Sequence, residues 1–281
     1  MNAIDYGYTG QRVIVTGGGG SGMGAAAVDL LVAQGAEVHV LDLKEPSTEV
    51  ASAQVVDLAD PAAVTAAVGR IGGPVKALFN TAGVAGNRTS VAETMVINFA
   101  SVRNVTETVL PLMGEGSSIV SVASQAGAQW MTRIPLWMEL ATTPDLAAAS
   151  TWIEEHLEVI SQVIPGLETG SAYSASKEAL IVWTQYSAAV LCQRGIRNNV
   201  TLPGPTTTPM SADFDAIYGK AMMDGYPIPL GRPQTTLEQA HAALFLNSDL
   251  AGAITGALLA TDGGVNAGLF TGVTTFAAPS R

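Results

Sequence analysis

Tyr173 and Lys177 are the residues whose types and spacing could do chemistry together, in the run Tyr173-Ser174-Ala175-Ser176-Lys177. A separation of four puts both on one face of a helix that starts after Gly170-Ser171. An ammonium beside a phenol favours phenolate, and bringing a tyrosine from a pKa of about 10 toward 7 takes on the order of 4 kcal/mol of differential stabilisation. Tyr173 could then trade a proton near neutral pH. A solvated helix face carries the same pair by chance, so the pair needs company. A second chemical feature lies near the start, where Thr16 leads into Gly17, Gly18, Gly19, Gly20, Ser21, Gly22, Met23 and Gly24 ahead of an Ala-rich stretch. Bare amides at a helix N-terminus suit a pyrophosphate, although a flexible loop has the same composition. Asp42 closes the next apolar run, twenty residues past Gly22. A carboxylate there accepts hydrogen bonds from the adenosine ribose and repels a 2′-phosphate. No Lys or Arg interrupts the loop and Lys44 comes two positions late, so NAD(H) is preferred over NADP(H). An ordinary turn residue after a strand is the alternative for Asp42.

The elements that must position these groups alternate along the whole chain. Runs rich in Val, Ile and Leu at 12–16, 37–42, 53–56, 75–79, 117–121, 197–202 and 258–261 read as strands, with Ala-rich helices between them. That is the pattern of an α/β, doubly wound parallel sheet (Rossmann) in a single domain over residues 1–281. The rhythm breaks at 128–170, far beyond the usual connection of about two to six residues, and marks a helical insertion just before Tyr173. Thr143-Pro144 reads as its cap and first turn, and Leu146, Ala149, Ile153, Leu157, Ile160 and Ile164 recur at helical steps until Pro165-Gly166. Trp130, Met131, Ile134, Leu136, Trp137 and Met138 precede that helix. They either roof a substrate cleft for a bulky apolar molecule or pack the insertion onto the body or a partner subunit.

Several motifs in order resemble those of the short-chain dehydrogenase/reductase family over residues 13–264. Thr16-Gly17 through Gly24 is similar to its cofactor loop, one glycine longer than the usual spacing. Asp57-Leu58 is similar to the pair that holds the adenine, and Asn80-Thr81-Ala82-Gly83 to the motif ending the fourth strand. Asn98 matches the active-site asparagine, Ser124 the catalytic serine, and Tyr173 with Lys177 the Tyr-x-x-x-Lys pair. Pro203-Gly204-Pro205-Thr206-Thr207-Thr208 resembles the nicotinamide-binding segment with Thr208 as its hydroxyl, and Asp262-Gly263-Gly264 the terminal signature. The resemblance implies Tyr173 as general acid/base, Ser124 on the substrate oxygen, Lys177 on the nicotinamide ribose, and Asn98 holding a water that links Lys177 to solvent. Ser124 and Tyr173 stand forty-nine positions apart, where the family commonly has about a dozen. This layout resembles the bacterial 3α-hydroxysteroid dehydrogenase/carbonyl reductase branch, whose insertion leaves a different two-fold interface. It implies an NAD(H)-dependent interconversion of a secondary alcohol and a ketone on a small hydrophobic substrate, in a homodimer or homotetramer. Trp130, Met222, Met223 and Tyr226 are candidates to touch that substrate. An NADP(H)-dependent ketoreductase and a non-catalytic nucleotide-binding regulator are the rival readings.

Composition sets the outer bounds. The 281 residues are 48% apolar and 13% charged with a formal charge of −11, and no basic block suits nucleic acid or anionic lipid. No charge-free run is long and apolar enough to span a bilayer, and residues 1–15 carry Asp5 where a signal peptide needs a positive flank, so a cytoplasmic protein is expected. His39, His156 and His241 lack metal-ligand spacing, so no metal is expected. The single Cys192 reads as a buried packing residue, as do Trp183 and Tyr186. A mean hydropathy of +0.31 suggests that a second subunit covers apolar surface.

Overall fold

In the computed structural model, which describes residues 5–275, strands form wherever the Val/Ile/Leu runs alternate. They are β1 (Arg12–Thr16), β2 (Glu37–Asp42), β3 (Ser52–Val55), β4 (Ala77–Asn80), β5 (Ser118–Val122), β6 (Arg197–Pro203), β7 (Thr206–Thr207), β8 (Gln234–Thr235) and β9 (Leu258–Thr261). Seven of them make one parallel sheet in the order β3-β2-β1-β4-β5-β6-β9. The order reverses between β1 and β4, and the crevice beyond the carboxyl ends of those strands is where such sheets bind ligands. The pair β7–β8 is a small separate sheet. It is too short for any periodicity to announce it.

Helices α1 (Met23–Ala33), α2 (Pro61–Ile71), α3 (Val91–Met95) and α4 (Ser101–Val109) follow the first strands. The insertion holds α5 (Ile134–Ala141), α6 (Leu146–Glu155) and α7 (Leu157–Ser161), after which come α8 (Glu168–Leu191), α9 (Ser211–Tyr218), α10 (Lys220–Asp224), α11 (Thr236–Asn247) and α12 (Val265–Thr271). Period-two strands feed two faces. Val13 and Val15 pack with Leu31 of α1 and Leu244 of α11, while Ile14 between them packs with Val68 of α2 and Val105 of α4. A third core joins α8 to α3 and the insertion through Phe99, Trp137, Ile153, Ile160 and Ile181. Every residue over 170–184 of α8 is buried, about four turns covered on all sides. No described helix is long and apolar enough to cross a membrane.

Several expectations change. The insertion helix is two helices, because His156 leaves helical geometry at φ −116°, ψ 15°, and its imidazole Nδ1 turns back to donate to the Trp152 carbonyl, 2.7 Å away, while stacking on the Trp152 ring. Its cap is Asp145, which accepts from Ala148 N at 2.8 Å, rather than Thr143-Pro144; Thr143 instead accepts from buried Arg103. Helix α8 starts at Glu168, two residues before Gly170 rather than after Ser171. Cys192 is exposed, since it opens the short 3-10 turn that ends α8 at the surface, and Tyr186 is also exposed while Trp183 is buried.

Candidate active site

The glycine loop leaves β1 with Gly17 at φ +74°, where a side chain would strike the backbone of Ala82 at 2.6 Å. Gly24 is equally obligatory, as a Cβ there would meet the Gly17 carbonyl oxygen at 2.3 Å. Gly19 lies against the Lys44 carbonyl and donates its N–H to Asp42 at 2.8 Å. Around Gly20 and Gly22, by contrast, a Cβ would meet nothing within 4 Å. The first half of the loop is thus packed too tightly for side chains, and the open half runs into α1, whose N-terminus has no side-chain cap and no acidic residue in its first turn. This is a cradle for an anion: free amides, open space and the positive end of a helix. Asp42 ends β2 beside it, its other oxygen accepting from Lys44 N at 3.0 Å. Exposed Asp57 and half-buried Leu58 follow β3 at the same carboxyl edge.

Asn80 at the end of β4 is 2% exposed and donates to Thr106 at 2.9 Å and to Ser121 at 3.3 Å. It therefore fastens β4 to α4 and β5 from within, and the loop Thr81, Ala82, Gly83 is what reaches the crevice. Gly83 abuts the next pair, since a Cβ on it would lie 3.0 Å from Asn98 Oδ1 and 3.7 Å from Lys177 Nζ. Asn98 sits in a π-helical turn, Val96–Ala100, between α3 and α4; such a bulge re-aims a side chain that a regular helix would place elsewhere. Its amide donates to Val84 O at 2.9 Å and Ser176 Oγ at 3.2 Å and accepts from Val84 N at 2.8 Å. Both donors and one lone pair are spent on protein, so Asn98 clamps the β4 loop to α8, and the water-holding role implied by the resemblance is left one side-chain lone pair.

Ser124 follows β5 in extended backbone, 8% exposed, its oxygen accepting from Ala126 N at 3.1 Å. Gly127 lets this turn lie directly on α8: a Cβ there would be 2.9 Å from the Lys177 carbonyl carbon. That contact sets the Ser124 hydroxyl near enough to Tyr173 to act on its phenol, and the Tyr173 ring packs edge-on against Phe214 at 5.1 Å. Lys177 donates to Val122 O at 3.0 Å and its ammonium stands 5.4 Å from the centre of the Tyr173 ring. Burial pushes the Tyr173 phenol well above its usual value, with Ser124 pulling the other way, and burial lowers Lys177 to about 8.

Ser124 and Tyr173 open into a cleft of about 840 Å³ that also takes in Met23, Pro203, Gly204, Thr206 and Thr208. Gly204 passes so close to Asp262 that a Cβ would sit 2.8 Å from its Cα, which couples the Pro-Gly segment to the terminal Asp262-Gly263-Gly264 turn. Asp262 accepts from Gly264 N and Asn266 N, both at 2.9 Å, and so starts α12. Met222, Met223 and Tyr226 line the cleft; Trp130 does not, being packed on the core between α8 and the insertion. The insertion reaches the cleft only through Ala128, Gln129, Ile164 and Leu167 at its two ends. Its aromatic residues serve packing: Trp137 is fully buried and donates to Glu178 at 2.8 Å, which also holds Arg133. Sequence reasoning missed Gln125, Phe214 and Tyr218. Gln125 donates to the Tyr226 hydroxyl, and Tyr218 is hydrogen-bonded to Ser174, one residue past Tyr173. The four-residue step from Phe214 to Tyr218 was a readable sign of one apolar helix face.

Comparison with known proteins agrees with this geometry. A family model described as short chain dehydrogenase matches residues 11–136, and one described as Enoyl-(Acyl carrier protein) reductase matches residues 158–266. The chain is 30% identical to the coniferyl-alcohol dehydrogenase of Pseudomonas sp. strain HR199, over 92% of this chain and 97% of that protein. It is 31% identical to the cis-4-hydroxycyclohexanecarboxylate dehydrogenase of Sinomonas cyclohexanicum, again over 92% and 97%. The crystal structure of 3-alpha-hydroxysteroid dehydrogenase from Pseudomonas sp. B-0831 complexed with NADH superposes with a TM-score of 0.76 at 27% identity, covering 94% of this chain and 100% of that one.

Proposed function

Because this chain belongs to the short-chain dehydrogenase family, we propose that it is an NAD(H)-dependent oxidoreductase interconverting a secondary alcohol and a ketone on a hydrophobic molecule, with Tyr173 as general acid and base. The observation that carries the reading is that Ser124 and Tyr173 stand together at the wall of a largely apolar cleft that is shared with the Pro203–Thr208 segment. The nicotinamide cofactor, when bound, supplies the hydride donor or acceptor. Gly20, Ser21, Gly22 and the start of α1 take its pyrophosphate, Asp42 its adenosine ribose, Lys177 the second ribose and Thr208 the carboxamide. Ser124 donates to the substrate oxygen and so stabilises charge as it develops there. A buried, protonated Tyr173 is the acid that ketone reduction needs, and in alcohol oxidation the same oxygen takes the proton back. Exposed Leu43, Phe270 and Val273 support a homo-oligomer, since a second copy is the simplest cover for apolar surface.

The test pairs two variants. Tyr173→Phe is expected to lower turnover by about 10²–10⁴-fold while NADH still binds, as read by NADH fluorescence. Unchanged turnover overturns the assignment of Tyr173. Asp42→Ala is expected to weaken NADH and strengthen NADPH; a fixed ratio of the two affinities means that another residue sets the preference and reopens the NADP(H) reading.

A further inference from the structure

The residues around the cleft differ in one respect from what an anionic substrate would need. Among the described residues lining it none is Lys, Arg or His, while two are acidic, Asp215 of α9 and Asp224 of α10. The nearby charges are already committed. Asp224 is paired with Lys220 at 2.8 Å, and Asp213, on the other side of α9, is held by Arg88 at 3.0 Å and Asn87 at 2.8 Å. Among the described residues Asp215 has no ion pair, although Lys220 contributes to its field from the next helix. It is half-buried, one residue from Phe214, whose ring packs on Tyr173. Asp215 thus puts a negative charge on the wall of the cleft into which Ser124 and Tyr173 open, alongside Met210, Phe214, Ile217 and Met223. A low-dielectric wall strengthens that field.

We infer that Asp215 selects substrates by charge: the cleft admits neutral alcohols and ketones and turns away those bearing a carboxylate, sulfonate or phosphate near the reacting carbon. This rests on the oxidoreductase reading above and names the substrate class of that site. A neutral molecule loses little on entering, whereas an anion must be desolvated near a like charge on a wall that carries no Lys, Arg or His among the described residues.

The experiment compares a charge-matched pair, 4-hydroxycyclohexanecarboxylate and its methyl ester, with NAD as oxidant. The purified wild-type chain and Asp215→Asn are measured at about 0.05 and about 0.5 M salt. The wild type is expected to favour the ester in kcat/KM by roughly tenfold. Asp215→Asn is expected to narrow that ratio by about threefold or more, and high salt to narrow it in the wild type but not in the variant. A merely structural role for Asp215 would not make the ratio depend on salt. A wild type that favours the acid, or a ratio and salt dependence that Asp215→Asn leaves alone, overturns the inference. If neither compound is oxidised, binding of cyclohexanecarboxylate and its methyl ester to the NADH complex is read by NADH fluorescence. Preference for the ester that Asp215→Asn narrows then keeps charge selection while the oxidoreductase reading falls. No discrimination, or no binding of either, overturns the charge selection itself.

Discussion

Glu178 provides the sharpest test of how the insertion is held to the catalytic helix. Its carboxylate is 1% exposed, accepts from Arg133 Nη1 at 2.8 and 3.1 Å and from Trp137 Nε1 at 2.8 Å, and follows Lys177 directly. Removing the acceptor with Glu178→Ala strands a buried indole N–H and a guanidinium, a loss of about 3–5 kcal/mol. Glu178→Gln is different. It keeps an oxygen for Trp137 and gives up the charge, and burial has already raised the Glu178 pKa above its usual 4.5 despite both partners pulling it down. The ion pair therefore does not fully repay the desolvation of the carboxylate, and the glutamine variant should lose no more than about 2 kcal/mol. The sign of the pH dependence follows. A carboxyl whose folded pKa is raised contributes stability below its unfolded pKa and loses it as pH rises through the folded value. The advantage of wild type over Glu178→Gln should thus widen as pH falls from about 6 to about 4. Urea unfolding followed by circular dichroism and tryptophan fluorescence measures all three chains. A gap that closes on acidification, or a glutamine variant as unstable as the alanine one, refutes the argument that burial outweighs pairing.

Other perturbations have equally definite outcomes. Lys177 is lowered to about 8 from 10.5 by burial, so the unfolded chain binds more protons between those values and stability rises with pH across that window. Lys177→Met should abolish turnover yet raise apo stability at pH 7 by up to about 3 kcal/mol, seen as a higher urea midpoint; a lower midpoint would mean that the bond to Val122 is worth more than the buried charge costs. Gly127→Ala puts a Cβ 2.9 Å from the Lys177 backbone and should cost about 1–3 kcal/mol together with at least about tenfold in kcat, because Ser124 is pushed off Tyr173; steady-state kinetics with retained far-ultraviolet circular dichroism checks this.

The strands were legible because each carries its own evidence. Val13, Ile14 and Val15 are apolar on both faces, as a doubly covered strand must be, and all seven sheet strands lie within two residues of their predicted ends. The loop and the Tyr173–Lys177 pair were legible through their spacing taken together with the motifs around them. What escaped depends on distant partners. The steps from Leu146 to Ile164 fit one helix, but the stacking of His156 on Trp152 breaks it, and a side-chain stack has no periodic trace. Trp130 looked like a cleft residue because it follows Ser124 closely in sequence, yet the core it packs on is formed mainly by α8, some fifty residues downstream.

The all-round burial of α8 over residues 170–184 has a consequence for where the site can operate. The insertion covers one face of this helix from within the chain, so the spacing of Ser124, Tyr173 and Lys177 is set by contacts of one chain. Single copies tethered to a bead, or diluted below the dissociation constant of any oligomer, should keep their catalytic geometry. Whatever a second subunit adds, it adds to solubility, lifetime or the far wall of the cleft.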